Sequence, residues 1–208
     1  MPIPAAATPA EGTPAYFESL FAASDDPWQF RSRWYETRKR ALTLACLPAA
    51  RFASAYEPGC ANGELASALA ERCDRLLASD GAAGAVTAAR ARLADQAHVS
   101  VVQAWVPQDW PDGRFDLIVV SELGYYLDPA ALDTLAQRAR ASLAPGGTVL
   151  ACHWRPPIGG CVMAGDEVQR RLGDALGLPR LMEVTDADLR LEVWCDDTRS
   201  VAAREGLR

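Results

Sequence analysis

The stretch Ala53-Ser-Ala-Tyr-Glu-Pro-Gly-Cys-Ala-Asn-Gly-Glu-Leu65 restricts the possible folds more than any other part of the chain. A short apolar run ends in Glu57 and breaks at Pro58-Gly59, and an apolar-periodic segment starts with Leu65, Ala66 and Leu69. That order predicts a strand, a tight glycine turn and a helix, so that a nucleotide-like ligand can approach bare backbone beside a helix N-terminus. Gly59 and Gly63 supply the unusual dihedrals such a turn needs, and Asn62 is the expected N-cap. The G-x-G-x-x-G fingerprint and the lysine of a phosphate-binding loop are both absent. Glu57 would repel a pyrophosphate, so the turn favours a ligand with a cationic end. A plain glycine turn without a ligand stays open on these residues alone.

The segments that follow repeat a strand-helix rhythm. Leu76-Leu-Ala-Ser-Asp80 ends in a carboxylate, which would sit at a strand C-terminus where ligands of doubly wound sheets bind and where an acid commonly holds ribose hydroxyls. Phe115-Asp-Leu-Ile-Val-Val-Ser-Glu122 is nearly continuous in apolar residues, as expected of a strand buried on both faces. Leu143-Ala-Pro-Gly-Gly-Thr-Val-Leu150 reads as a helix end, a turn and another strand. Strands are expected at 53–57, 75–79, 98–103, 115–121, 147–153, 180–185 and 189–195. Helices are expected at 62–73, 83–95, 128–142 and 165–176. The rhythm implies a mostly parallel sheet with right-handed crossovers, and Asp186-Ala187-Asp188 is short enough to join the last two strands as a hairpin.

The order E-P-G-C-A-N-G, Asp80, D-G-R-F-D-L-I-V-V-S-E and L-A-P-G-G-T-V-L resembles the class I S-adenosylmethionine-dependent methyltransferases. Asp26-Pro-Trp28, Trp34-Tyr-Glu36, Ser121-Glu-Leu-Gly-Tyr-Tyr126, His153-Trp-Arg155 and Gly165-Asp-Glu-Val168 are similar to the nodulation protein S group within them. The resemblance implies an α/β, Rossmann-like fold with a seven-stranded sheet, mostly parallel, whose last strand is antiparallel. It also implies S-adenosyl-L-methionine as cofactor and N-methylation of a small amine, such as an amino sugar. Glu57 would meet the cationic amino-acid end; Gly59, Cys60, Ala61 and Gly63 would give close backbone approach; Asp80 would hold the ribose; and Ser121 would lie beside the cofactor. Many relatives place an acid after the third strand to read adenine. Here the segment is Gln103-Ala104-Trp105, and Trp105, through its indole or its backbone N–H, is the expected substitute.

Residues 1–13 are expected to be a disordered tail and 14–208 one domain, with 14–50 a helical lid over a 51–208 core. Within the lid a short helix is expected at Tyr16–Phe21 and a longer one from about Phe30 to Leu47, with Pro27 at a first helical position. Trp28 and Trp34 either cover the ligand or pack the lid onto the sheet, and Arg33 is the lid cation best suited to a ligand carboxylate. Arg38-Lys-Arg40 reads as a solvated helix face. For catalysis, an amine must lose its proton before its lone pair attacks. His153, Glu122 and Tyr125 are the candidates, with His153 as general base; Asp166 and Glu167 either line an acceptor pocket or serve the helix dipole. His98 is expected to be structural. A net charge of −6 argues against nucleic acid. Six cysteines without a C-x-x-C pair, with only two histidines, exclude zinc spacing and fit a reducing cytoplasm. No run reaches membrane-spanning length. The competing readings are a small-molecule O-methyltransferase and a non-catalytic cofactor-binding module.

Overall fold

The computed structural model describes residues 9–208, so most of the tail expected to be disordered lies outside the described residues. Residues 9–13 end in a turn, and Thr13 caps α1 (Pro14–Ala23) by accepting from Tyr16 N at 3.3 Å. The second helix, α2 (Trp34–Ala45), starts later than expected and Pro27 lies in a turn. The physical reason is Asp26, whose carboxylate accepts from Phe30 N (2.8 Å) and Arg31 N (3.1 Å) and holds residues 26–31 out of the helix.

The core runs β1 (Ala55–Pro58), α3 (Glu64–Ala70), β2 (Leu76–Asp80), α4 (Ala83–Arg92), β3 (Val99–Gln103) and β4 (Phe115–Ser121). A short 3-10 turn (Gly124–Tyr126) leads into α5 (Pro129–Ser142), β5 (Leu143–Trp154), α6 (Gly165–Leu176), β6 (Arg180–Thr185) and β7 (Leu189–Cys195). β5 begins earlier than expected because Leu143 pairs with Phe115 ahead of the Pro145-Gly146 turn; regular pairing with β4 resumes at Thr148. The seven strands lie in the order β3-β2-β1-β4-β5-β7-β6. β1 to β5 are mutually parallel, and β7 runs antiparallel to both β5 and β6.

Side-chain parity divides the core in two. Leu117 and Val119 of β4 face one side with Leu69, Leu150 and Leu191, while Ile118 and Val120 face the other with Leu132, Leu135 and Leu172. All four β4 residues are completely buried, which accounts for the continuous apolar run. Each contributes roughly 2 kcal/mol relative to an exposed side chain. The sheet reverses direction of growth between β1 and β4, and this switch point is where an open α/β sheet leaves a crevice beyond the strand C-termini.

Candidate active site

Over that switch point lies a cavity of about 830 Å³, near the upper end of the roughly 300–1,000 Å³ typical of ligand sites. Glu57, Gly59, Cys60, Ala61, Asp80, Trp105, Ser121, Glu122, Tyr125, Trp28 and Arg33 all line it. Gly63 and His153, also expected there, do not. Gly63 lies behind the loop at φ +80°, with Ala89 of α4 so close that an added Cβ would meet its Cα at 3.1 Å. Its role is packing α3 against α4. Asn62 is not the N-cap of α3 either, since Gly63 takes that position. The Asn62 amide instead donates to Asp25 O (3.2 Å) and Asp26 Oδ1 (2.9 Å), which ties the glycine loop to the segment between α1 and α2.

One end of the cavity is built by the tips of β1 and β2. Glu57 is only 3% exposed, and its Oε2 has no hydrogen-bond partner among the described residues. Burial, and then the neighbouring Asp80 charge, push its carboxyl up to about 8. Asp80 is better satisfied: Oδ2 accepts from Ala61 N and Oδ1 from Ala82 N, both at 2.9 Å. A carboxylate has about four acceptor sites, so each oxygen keeps one for a ligand hydroxyl. The loop between them holds Gly59 at φ +73° and the non-glycine Ala61 at φ +49°, backbone conformations that are uncommon away from functional turns.

Trp105 forms a wall of the same end. Its ring lies so close over Gly81 that an added Cβ there would stand 2.2 Å from it. The backbone N–H of Trp105 is committed to Asp109 Oδ2 at 2.9 Å, which corrects the expectation that it could read a base; the indole face is what the cavity receives. Phe17 of α1 packs near that indole and against Tyr126 (centroids 6.4 and 5.0 Å), and Trp28 stacks on Phe30 at 5.5 Å. Trp34, by contrast, is 75% exposed and covers nothing. Arg33 is exposed and donates to Gln29 Oε1 at 3.3 Å, with no ion pair to it among the described residues.

The other end is an ionic cluster that sequence reading missed. Lys39, expected on a solvated face, is 5% exposed; its Nζ lies 2.9 Å from Glu36 Oε2 and 3.3 Å from Glu122 Oε1. Burial works against its charge, but Glu122 and Glu36 outweigh it and raise the lysine above its ordinary value. Glu122 leaves β4 at φ +55°, and its Oε2 accepts a short bond from the Tyr125 hydroxyl. The Glu36–Lys39 spacing of three was the available signal, since it puts both on one helix face.

His153 is not at the cavity. It is completely buried; its Nε2 accepts from Gly124 N at 3.1 Å, and its Nδ1 lies 3.2 Å from Gln169 Nε2. Burial, then the Lys39 charge, depress it to about 3. Strand parity is the reason: residues 152 and 154 of β5 face the α2 side, whereas 153 turns towards α6. Trp154 lines the cavity instead. Asp166 and Glu167 do not line the cavity either; Asp166 is in a two-bond pair with Arg155 (2.9 and 3.0 Å) and Glu167 pairs with Arg170 at 2.7 Å. His98 bonds Ala70 O at 3.0 Å, as a structural residue would.

Among the described residues no group of three or more His, Cys, Asp or Glu could hold a metal, and no helix is long and apolar enough to cross a membrane. All six cysteines are free. The sheet order, the antiparallel last strands and the acid-led glycine loop at the switch point define the class I methyltransferase fold. A solved structure of a candidate methyltransferase from Pseudomonas syringae is 51% identical, covering 78% of this chain and 99% of that one at a TM-score of 0.71. The N-methyltransferase NodS from Bradyrhizobium japonicum WM9, in complex with S-adenosyl-L-homocysteine, is 25% identical over 87% of this chain and 96% of that one, at a TM-score of 0.75.

The family model for nodulation protein S (NodS) matches residues 17–193, and the chain belongs to that family. The nodulation protein S of Bradyrhizobium diazoefficiens is 31% identical over 80% of this chain and 76% of its own length. That of Rhizobium tropici is 38% identical over 60% of this chain; the match spans 53% of its length, little more than half.

Proposed function

We propose that this chain is an S-adenosyl-L-methionine-dependent methyltransferase that N-methylates a small amine such as an amino sugar. The observation that carries the reading is a single cavity with a buried, unpartnered carboxylate oxygen of Glu57 at one end and the Glu122–Tyr125 pair at the other. The residues present fit the cofactor. Glu57 would take its α-ammonium, Asp80 its ribose hydroxyls, and the Trp105 face its adenine, while Arg33 is placed to reach its carboxylate. When bound, the cofactor supplies an electrophilic methyl group on a sulfonium leaving group.

The chain's own residues position and deprotonate the acceptor. Glu122 attracts the acceptor's ammonium and takes its proton, and Tyr125 fixes the orientation of that carboxylate. Much of the remaining acceleration comes from holding the reacting atoms in line about 3–3.5 Å apart. The helices 14–50 act as a cover that excludes water, fastened to the glycine loop through Asn62 and Asp26. Six free thiols support a reducing compartment, most simply the cytoplasm.

Calorimetric titration with S-adenosyl-L-methionine, followed by methyl-transfer assays on glucosamine and on a hydroxyl-only sugar, tests the reading. Saturable one-to-one binding with transfer to the amine alone is the expected result. Transfer to the hydroxyl sugar would establish an O-methyltransferase, and binding without transfer to either acceptor would favour a cofactor-binding module.

A further inference from the structure

The ionic cluster at the Glu122 end has the composition of a recognition site for a primary ammonium, and the chain's own lysine fills it. Lys39 Nζ is held by two carboxylates and lies 5.3 Å from the Tyr35 ring centroid and 5.9 Å from that of Phe30. Carboxylates and aromatic faces together are what selects an organic cation. Glu36, Glu122, Lys39, Tyr35 and Phe30 all line the cavity, and the buried Tyr35 hydroxyl has no partner among the described residues. Two carboxylates facing one ammonium leave one negative charge unmatched, enough for a second ammonium.

We propose that Lys39 is a positioning residue that occupies the acceptor's ammonium site on Glu122 and yields it when the acceptor enters. This deepens the methyltransferase reading and depends on it. Tyr125 takes Glu122 Oε2, so the oxygen that changes hands is Oε1, the one facing Lys39. The lysine's flexible stem lets it stay on Glu36 alone. From there its charge disfavours a second cation beside it and drives the acceptor towards the neutral amine. The acceptor's N–H bond breaks with its electron pair staying on nitrogen, and the proton joins Glu122. That pair then forms the N–C bond as the S–C bond breaks with its electrons passing to sulfur.

The other charged or titratable groups facing this cluster are few. Tyr35 and Glu36 face Lys39 from α2, Glu122 and Tyr125 from the turn after β4, and Cys152 from β5. Asp186, from the β6–β7 hairpin, is paired with Arg38 at 2.7 Å. Arg40, which also lines the cavity, is committed to Phe30 O at 2.8 Å, and His153, buried behind β5, feels the Lys39 charge and is held neutral.

The test compares wild type with Lys39→Met and Lys39→Arg, each first saturated with S-adenosyl-L-homocysteine. Glucosamine is then titrated calorimetrically near pH 6, and turnover is followed against pH. In Lys39→Met the ammonium finds both carboxylates free, so affinity should rise on the order of tenfold. Its KM and kcat should fall together, and the acid limb of kcat should move up by about one pH unit. Lys39→Arg keeps the positive charge, so its acid limb should lie below that of Lys39→Met and its glucosamine affinity should not rise. A lysine that only stabilised the fold would leave the pH profile in place.

Unchanged or weaker glucosamine binding in Lys39→Met, with homocysteine-cofactor binding intact, overturns the proposal. So does the absence of glucosamine binding in both proteins. Failure of the wild type to bind the cofactor would instead remove the methyltransferase reading. Should methionine at 39 prevent folding, Lys39→Gln serves, since its amide can keep a bond to Glu36.

Discussion

A Glu57→Gln substitution separates what this carboxylate does for a ligand from what it does to the fold. Burial, with Asp80 beside it, pushes the Glu57 carboxyl from an ordinary 4.5 up to about 8. A carboxyl whose folded value lies above its unfolded one leaves the folded state holding more protons. Its contribution to stability is therefore intact below the unfolded value and lost as pH rises through the folded one. At ~1.4 kcal/mol per unit, the loss reaches about 3 kcal/mol at neutral pH and about 5 kcal/mol above pH 8.

Glutamine carries no charge at any pH, so the ligand-free variant should be the more stable protein by up to these amounts. The gain should vanish towards pH 4.5, where the wild-type carboxyl is neutral in both states. For a domain of this size about 3 kcal/mol corresponds to a Tm higher by roughly 6–12 °C at neutral pH. Cofactor affinity should move the other way, falling by about 1–3 kcal/mol with the loss of a charge-assisted bond to the α-ammonium. Thermal melts between about pH 5 and 9, with calorimetry of S-adenosyl-L-homocysteine binding, read both effects. Melting curves for the two proteins that run parallel with pH would refute the argument from burial. Unchanged affinity would detach Glu57 from the ligand.

Two other substitutions probe the rest of the site. Gly81→Ala places a Cβ 2.2 Å from the Trp105 ring and should push the indole out of place. Cofactor affinity should fall about tenfold, by roughly 1.4 kcal/mol, while an unaltered dissociation constant would remove Trp105 from the site. His153→Ala leaves the buried Gly124 N–H without its acceptor, at a cost of about 1–3 kcal/mol in denaturant unfolding. It should lower kcat by loosening the turn that carries Glu122 and Tyr125. The acid limb of the pH profile should stay in place, because burial already holds His153 near 3, far below the working range. A displaced limb would restore His153 as the base.

The strands were legible because their signals are local. β4, β6 and β7 fall at the expected residues, since a doubly buried apolar run and a short polar hairpin loop each specify their own limits. Glu57 and Asp80 were legible as well, because the C-terminal tip of a parallel strand at a switch point faces the crevice in any such sheet. What failed depended on partners distant in sequence. Arg38-Lys-Arg40 looks solvated in isolation, and only Glu122, arriving from the tip of β4, turns Lys39 inward. His153 was misplaced by one step of strand parity, which an apolar β5 buried on both faces does not reveal. Trp34 and Pro27 were misread because Asp26 delays the start of α2 through its own side chain.

The distribution of acid along the cavity has a consequence for turnover. Glu57 and Asp80 stand at one end, and Glu36 and Glu122, with Lys39 between them, at the other. Under the proposed reaction the cofactor arrives with a sulfonium and departs as an uncharged thioether, while the acceptor attacks as a neutral amine and leaves as an alkylammonium. Seen from the protein, methylation moves one positive charge across the cavity, from the strand tips towards α2. The spent cofactor keeps its α-ammonium and ribose contacts with Glu57 and Asp80 and loses only the attraction that its sulfonium charge supplied, while the methylated amine is left facing Lys39, a like charge that hastens its exit.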